Sequence, residues 1–559
     1  MLVAVHVHDV VAPAEQGRLT TGEWWRDAVV YQVYVRSFAD ANGDGIGDLA
    51  GVRSRLPYLR NLGVDALWFN PWYPSPGADA GYDISDYRSI DPVFGTLREA
   101  EGLIEEARAL GIRTIVDIVP NHVSSEHPWF RAALDSAPGS PERARFWFRP
   151  GRGAGGTEPP NDWHSIFGGP AWTRTPDGEW YLHLFAPEQP DLNWTHEDVW
   201  AEHEEVLRFW FDRGAAGVRI DSAALLMKDP ELGEERADAR PGEHPFTDRD
   251  PLHDVYRRWR AIADAYEEPR VLVGEIWLAD AERLARYLRS DELHTAFNFD
   301  FLGCPWDAAR MRTSIDAALE AHAPVDAPAT WVLSNHDVTR PVTRYGRADS
   351  SFAFESKRMG TPTDLRRGLR RARAAALLAM ALPGSLYVYQ GEELGLPEVE
   401  DIPSERRQDP MWIRSGGVDP GRDGCRIPLP WSGDAPPYGF SPDGTSTWLD
   451  QPRDWAPLTV EAQSPDASST LSLYRAGLRL RKQEPWESGD FDWIPAGDDV
   501  LAFRRGDRFA CFVNFGSEPV SLPASAEVVI ASNDLEGGAV PQDTAVWFLN
   551  PLGHREEGR

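Results

Sequence analysis

Four separated segments of the chain each close an apolar run with a carboxylate, an arginine or a histidine. They are Asp117-Ile-Val-Pro-Asn-His122, Gly217-Val-Arg-Ile-Asp221, Gly274-Glu-Ile-Trp277 and Ser334-Asn-His-Asp337. Continuous apolar runs are typical of parallel strands buried on both faces. Reactive groups that recur at the ends of such strands read as one site assembled from several of them. Asp221 and Glu275 end consecutive strands, which makes them neighbours across a barrel rim. The shorter Asp221 suits a nucleophile fixed at a strand end, whereas Glu275 has one more methylene with which to hand over a proton. Trp277, close by in sequence, is placed to raise the proton affinity of Glu275 by desolvation. Arg219 precedes Asp221 by two residues, so on a strand both point to the same side. There it can hydrogen-bond the carboxylate and keep it ionised.

Alternating strand and helix signals surround these segments. Strands are expected at 29–38, 64–72, 112–119, 217–221, 270–277, 295–301, 330–337 and 385–390. Helices are expected at 50–62, 97–110, 198–213, 253–265, 364–381 and 467–483. Repeated strand–helix units imply βαβ connections and a parallel sheet, and eight strands make a (β/α)8 TIM barrel of the α/β class. The rhythm breaks after His122. Residues 123–184 form a Gly-, Pro- and Trp-rich insertion whose aromatics argue for order, and about 391–465 a second insertion. The remaining divisions are an N-terminal extension over 1–22, a barrel over 23–122 and 185–485, and a small antiparallel β domain over 486–559, where strand-like alternation returns.

A chain of 559 residues, 42% hydrophobic and 11% aromatic, has ample material for a packed core. A formal charge of −31 argues against nucleic acid and anionic membrane surfaces as partners, and it fits a neutral substrate. Cys304, Cys425 and Cys511 are too few for a disulfide framework and read as buried thiols. No stretch reaches the ~18 apolar residues of a membrane span, and residues 1–21 lack the basic start of a signal peptide. The expectation is a cytoplasmic enzyme.

In order and wording the four segments resemble the signature regions of the α-amylase family of glycoside hydrolases. A fifth, Gln189-Pro-Asp-Leu-Asn193, resembles the extra region of oligo-1,6-glucosidase and neopullulanase-type members. The resemblance implies the TIM barrel, with the insertion after strand 3 as domain B. It also implies a retaining mechanism, with Asp221 as nucleophile, Glu275 as acid/base and Asp337 assisting distortion of the sugar ring. His122 and His336 would hold ring hydroxyls, Tyr82 would stack on the ring, and Asp117 would position its neighbours. Asp83 and Arg426 would close the pocket floor, making the enzyme exo-acting. The family writes that arginine in Ala-Arg-Thr-Pro-Met-Gln-Trp, where this chain has Cys425-Arg-Ile-Pro-Leu-Pro-Trp431. Phe185 and Trp72 are weaker candidates for sugar contact. Ser222 follows the nucleophile, where valine accompanies α-1,6 specificity and small or polar residues accompany α-1,4. The implied activity is an α-glucosidase on short malto- or isomalto-oligosaccharides or disaccharides, α-1,4 favoured. The alternative is a glucosyltransferase or isomerase of trehalose synthase-like or sucrose-acting type. The family's catalytically inert transporter heavy chains carry a membrane anchor and lose the carboxylates that this chain keeps.

No cofactor is implied for catalysis. The stretch Asp40-Ala-Asn-Gly-Asp-Gly-Ile-Gly-Asp48 alternates oxygen ligands, with glycine at the sixth position of a calcium loop, although the twelfth is Gly51 rather than Glu. The family has a similar site, which maps onto Asp40, Asn42, Asp44, the Ile46 carbonyl and Asp48 with structural calcium, or magnesium. Such an ion binds only the folded state and stabilises it. Stripping it with a chelator should lower the melting temperature, and added Ca²⁺ or Mg²⁺ should restore it. An unchanged melting temperature in protein shown metal-free by elemental analysis would make the stretch a plain turn.

Overall fold

A computed structural model describes residues 22–235, 240, 242–353, 357–483 and 491–550. Eight parallel strands form one sheet: β1 (Val29–Val33), β2 (Ala66–Phe69), β3 (Arg113–Ile118), then β7 (Gly217–Ile220), β8 (Val271–Gly274), β9 (Thr295–Ala296), β10 (Thr330–Val332) and β11 (Ser385–Tyr389). Their order is β10-β11-β1-β2-β3-β7-β8-β9, a nearly closed barrel. Every residue of β1, β2, β7, β8, β10 and β11 is buried, which is why these strands read as unbroken apolar runs. Helices such as Leu97–Ala109, Glu197–Asp212 and Leu365–Ala381 pack outside. The first has a full capping box, in which Thr96 and Glu99 satisfy each other's backbone N–H groups.

Several expected elements differ: the strands at 29–38 and 330–337 end at Val33 and Val332, and the helix at 50–62 divides into Leu49–Ser54 and Leu56–Leu62. The strand at 295–301 pairs only over Thr295–Ala296, because Asn298 accepts the Phe301 amide and starts the helix Phe299–Gly303. A helix at Ala308–His322 was not anticipated. Asp307 caps it, and Ala308, Met311, Ile315 and Ala318 turn inward at helical spacing.

The insertion after β3 holds a three-stranded antiparallel sheet: β4 (Phe148–Pro150), β5 (Trp172–Arg174) and β6 (Glu179–Leu182). Trp147, Trp163, Trp172, Leu182 and Leu184 form its core with Phe246 from the loop after β7. The C-terminal region is a five-stranded antiparallel sheet from Asp492–Trp493 to Thr544–Leu549. It docks on the helix Leu365–Ala381, where Trp547 donates to the Leu377 carbonyl and Asp543 pairs with Arg371 at 2.9 Å. The three cysteines are buried and free, and no helix among the described residues is long and apolar enough to cross a membrane. The expected N-terminal extension lies outside the described residues except for Gly22, and so does the expected boundary at 485/486.

The 40–48 loop folds on its own backbone. Asp40 accepts from the Gly43 and Gly45 amides and from Ser441 Oγ, Asp48 accepts from Ala41, Asn42 and Gly51, and Asn42 accepts from Asp44. Gly45 stands at φ 89, and a Cβ there would lie 2.1 Å from the Ser446 carbonyl oxygen, so only glycine fits. Among the described residues no group of three or more His, Cys, Asp or Glu is arranged to hold a metal. The ion reading therefore rests on ligand spacing and on the family resemblance.

Candidate active site

The reactive groups converge because of strand register. Asp117 on β3 pairs with Arg219 on β7, and Arg219 with Val273 on β8. Asp221 and Glu275 each follow two residues later, so by the period of two all four project to the same side. Arg219, 1% exposed, sits among three carboxylates. One Nη lies 2.9 Å from Asp117 and 2.8 Å from Asp221, and the other lies 2.7 Å from Glu275. Asp221 and Glu275 thus lie within the span of one guanidinium.

Further donors fix them. Ser222 donates its backbone N–H to Glu275 Oε2 (2.9 Å) and its hydroxyl to Asp221 Oδ2 (2.8 Å). The Trp277 indole donates to Glu275 Oε1 at 3.0 Å. Asp117 also accepts from Trp68 and from the Tyr82 hydroxyl, each at 3.1 Å. Asn70, after β2, donates to that hydroxyl at 2.8 Å. Gln32 on β1 donates to Asn70 and lies 2.8 Å from His336 Nδ1, and the His336 ring stacks on Tyr82 at 5.3 Å.

Burial pushes Asp221 up to about 6 and Glu275 up to about 7, with Arg219 opposing both shifts. The carboxyl suited to donate a proton is therefore the weaker acid. Asp117 is raised by burial to about 7. For Asp337 burial also works against the charge, but His336, Arg422 and Arg426 hold it well below the usual carboxylate range. Burial keeps His336 neutral, so at neutral pH the two arginines, each 3.0 Å away, carry that effect.

A cavity of about 370 Å³ opens over these groups. Tyr82, His122, Phe185, Asp221, Ser222, Glu275, His336 and Asp337 line it, as anticipated. Phe185 packs on His122 at 4.9 Å. Arg219 does not line the cavity; it pairs with the three carboxylates and lies over the Trp68 and Tyr82 rings. Trp72 is 1% exposed, stacked on Phe69 in the core and away from sugar.

The floor needs two corrections. Asp83 does not line the cavity: it accepts from Ser75 Oγ and from the amides of Ala78 and Asp79 inside its own loop. Arg426 lies behind the wall, its Nε donating to the His336 carbonyl at 2.8 Å. The aspartate and arginine that meet at the cavity are Asp79 and Arg422, 2.6 Å apart, each four residues before the expected one. Arg422 also reaches Asp337 and Asp409 at 3.0 and 2.6 Å. Gln189, in the fifth motif, donates to Asp79 at 3.1 Å and lies 3.0 Å from His122 Nε2, so it ties floor to wall. Ile166, Phe167, Ala224, Leu225, Thr247, Trp277 and Phe352 complete the lining. Trp277 closes the Gly274–Trp277 motif, and the other six lie outside the motif segments.

Comparison with known proteins agrees with this architecture. The family described as "Alpha amylase, catalytic domain" matches residues 32–489. A probable α-glucosidase of Rhizobium meliloti is 36% identical over 89% of this chain and 90% of its own length. Trehalose-6-phosphate hydrolase of Escherichia coli is 37% identical over 86% of this chain and 88% of its own. The crystal structure of the α-glucosyl transfer enzyme XgtA superposes with a TM-score of 0.83 at 34% identity, covering 95% of this chain and all of the other. With its nearly closed barrel and the carboxylates gathered at its strand ends, the chain belongs to the α-amylase family of glycoside hydrolases.

Proposed function

We propose that the protein is a retaining, exo-acting α-glucosidase that releases glucose from the non-reducing end of short α-glucosides. The observation that carries this reading is Arg219, shared between Asp221 and Glu275 beside a floor closed by Asp79 and Arg422. Asp221 attacks the anomeric carbon while Glu275 protonates the leaving oxygen. Water activated by the Glu275 carboxylate then cleaves the glucosyl ester. Asp337, His336 and His122 hold the ring hydroxyls, and Asp79 with Arg422 holds those at the closed end, which leaves no passage for a longer chain. Capture of the ester by an alcohol instead of water gives glucosyl transfer. The likeness to a glucosyl transfer enzyme supports that second reading. The cation at 40–48 stands beside this as a proposal supported by its ligand spacing.

Asp221→Asn should reduce turnover by about 10⁴-fold or more while leaving the protein folded, because it deletes a catalytic group and keeps its volume. Glucose released by the parent enzyme should appear first as the α-anomer. A tenth of parental activity in the variant, or early β-glucose by NMR, would refute the assignment.

Linkage preference is proposed to rest on Ser222, which shapes the space beside the nucleophile. Maltose should be hydrolysed faster than isomaltose, by a margin worth about 1–3 kcal/mol at most. Ser222 stands at φ 49, where a β-branched side chain is strained by about 1–3 kcal/mol. Ser222→Val should therefore lose activity on both sugars, and the informative quantity is their ratio, which should move toward isomaltose. A ratio that stays put, or a parent enzyme that prefers isomaltose, contradicts the role given to this residue.

A further inference from the structure

The strands that gather the reactive groups at one end of the barrel gather arginines at the other. Arg113 opens β3, Arg270 immediately precedes β8, and Ala216 immediately precedes β7 between them. The Ala216 amide donates to the Thr114 carbonyl at 2.7 Å, and its carbonyl accepts from Val271 at 2.9 Å. The three strand starts therefore lie side by side. Arg108 joins them from the last turn of the helix Leu97–Ala109. Together with Trp24 these residues line a cavity of about 120 Å³, at the end of the strands away from Asp221 and Glu275. That is room for several water-sized groups.

Arg270 stands out there because it is buried without a counter-ion. It is 9% exposed. One Nη donates to the Phe211 carbonyl at 3.4 Å, a long bond, and the guanidinium lies 5.0 Å over the Tyr266 ring. Its Nε has no hydrogen-bond partner, and no carboxylate among the described residues forms an ion pair with it. Arg113 lies 4.7 Å over the Trp24 ring, and Arg108 meets Glu268 at 2.6 Å. Glu267 is the other carboxylate on this cavity, and both glutamates are exposed, where an ion pair contributes little. Three guanidiniums thus face two carboxylates in a chain of net charge −31. Burial lowers both Arg113 and Arg270 from the usual arginine range.

A charge taken out of water without a partner costs stability. An anion in the cavity would remove that cost, and the forked N–H groups of guanidiniums match the oxygens of a phosphate. We propose that this cavity is an oxyanion site, taking inorganic phosphate or the phosphate head of a monoester between Arg270, Arg108 and Arg113. It is separate from the catalytic opening and does not depend on the α-glucosidase reading.

The test is the melting temperature of the full-length protein titrated with inorganic phosphate at constant ionic strength, chloride being the balancing salt. Phosphate should raise it by several degrees and saturate, because only the folded chain holds the site. Glycerol 3-phosphate is titrated beside it: an equal response marks the phosphate head as the ligand, and a response to the ester alone marks a phosphomonoester. Arg270→Met keeps the apolar stem and removes the charge. Without phosphate it should melt at or above the parent, and phosphate should no longer move it. Arg108→Gln, at a half-exposed position, should weaken the apparent phosphate affinity several-fold. If neither phosphate nor the ester moves the parent beyond the chloride control, or if Arg270→Met responds as the parent does, the proposal is wrong. If Arg270→Met fails to fold, the Arg108→Gln titration decides, and an unchanged affinity there overturns the site.

Discussion

A single buried guanidinium governs the site. Arg219 touches three carboxylates from three adjacent strands, and it does so because β3, β7 and β8 pair in one register. A slip of one residue in any of them would turn its side chain to the other face. Charges this deep are tolerated only as a set, since removing one partner of a buried ion pair costs about 3–5 kcal/mol. The set is also one positive charge against three carboxyl groups. Arg219 cannot offset the desolvation of all of them, and Asp117, Asp221 and Glu275 are all raised. The same imbalance leaves Glu275 slower to give up its proton than Asp221, the order a retaining mechanism requires.

A second network forms the floor. Arg422 and Arg426 hold Asp79, Asp409 and Asp337 between them, two guanidiniums against three carboxylates. Asp337 is held ionised there, unlike the raised pair above it. The two networks meet at Tyr82, which bonds Asp117 and stacks on His336, while Gln189 ties Asp79 of the floor to His122 of the wall. Arg422 comes from the long insertion after β11, so that loop completes the pocket. Its Ser441 also closes the 40–48 loop on Asp40.

The barrel and its strand-end residues were legible in the sequence because period and position suffice to place them. Asp221 and Glu275 follow from where two apolar runs end, and Arg219 from standing two residues before Asp221. Loop-borne groups were not legible in this way. Asp79 and Asp83 flank Tyr82 in one loop, and no periodicity says which faces the cavity. The choice is made by the Ser75 hydroxyl and two amides, which turn Asp83 inward. Arg422 and Arg426 sit one helical turn apart, and only the path of the chain decides which reaches the opening. Ile166, Leu225 and Phe352 come from three different loops and resemble ordinary core residues until the fold brings them to one mouth.

The account stands on the unequal proton affinities that this shared guanidinium leaves on Asp221 and Glu275. The most direct measurement is kcat/KM against pH, which reports the free enzyme's essential groups. Activity should fall below about pH 6 as Asp221 becomes protonated and above about pH 7 as Glu275 loses its proton, giving a narrow bell. The two limbs belong to the interacting pair. A broad plateau reaching from pH 4 to pH 9 would contradict the account.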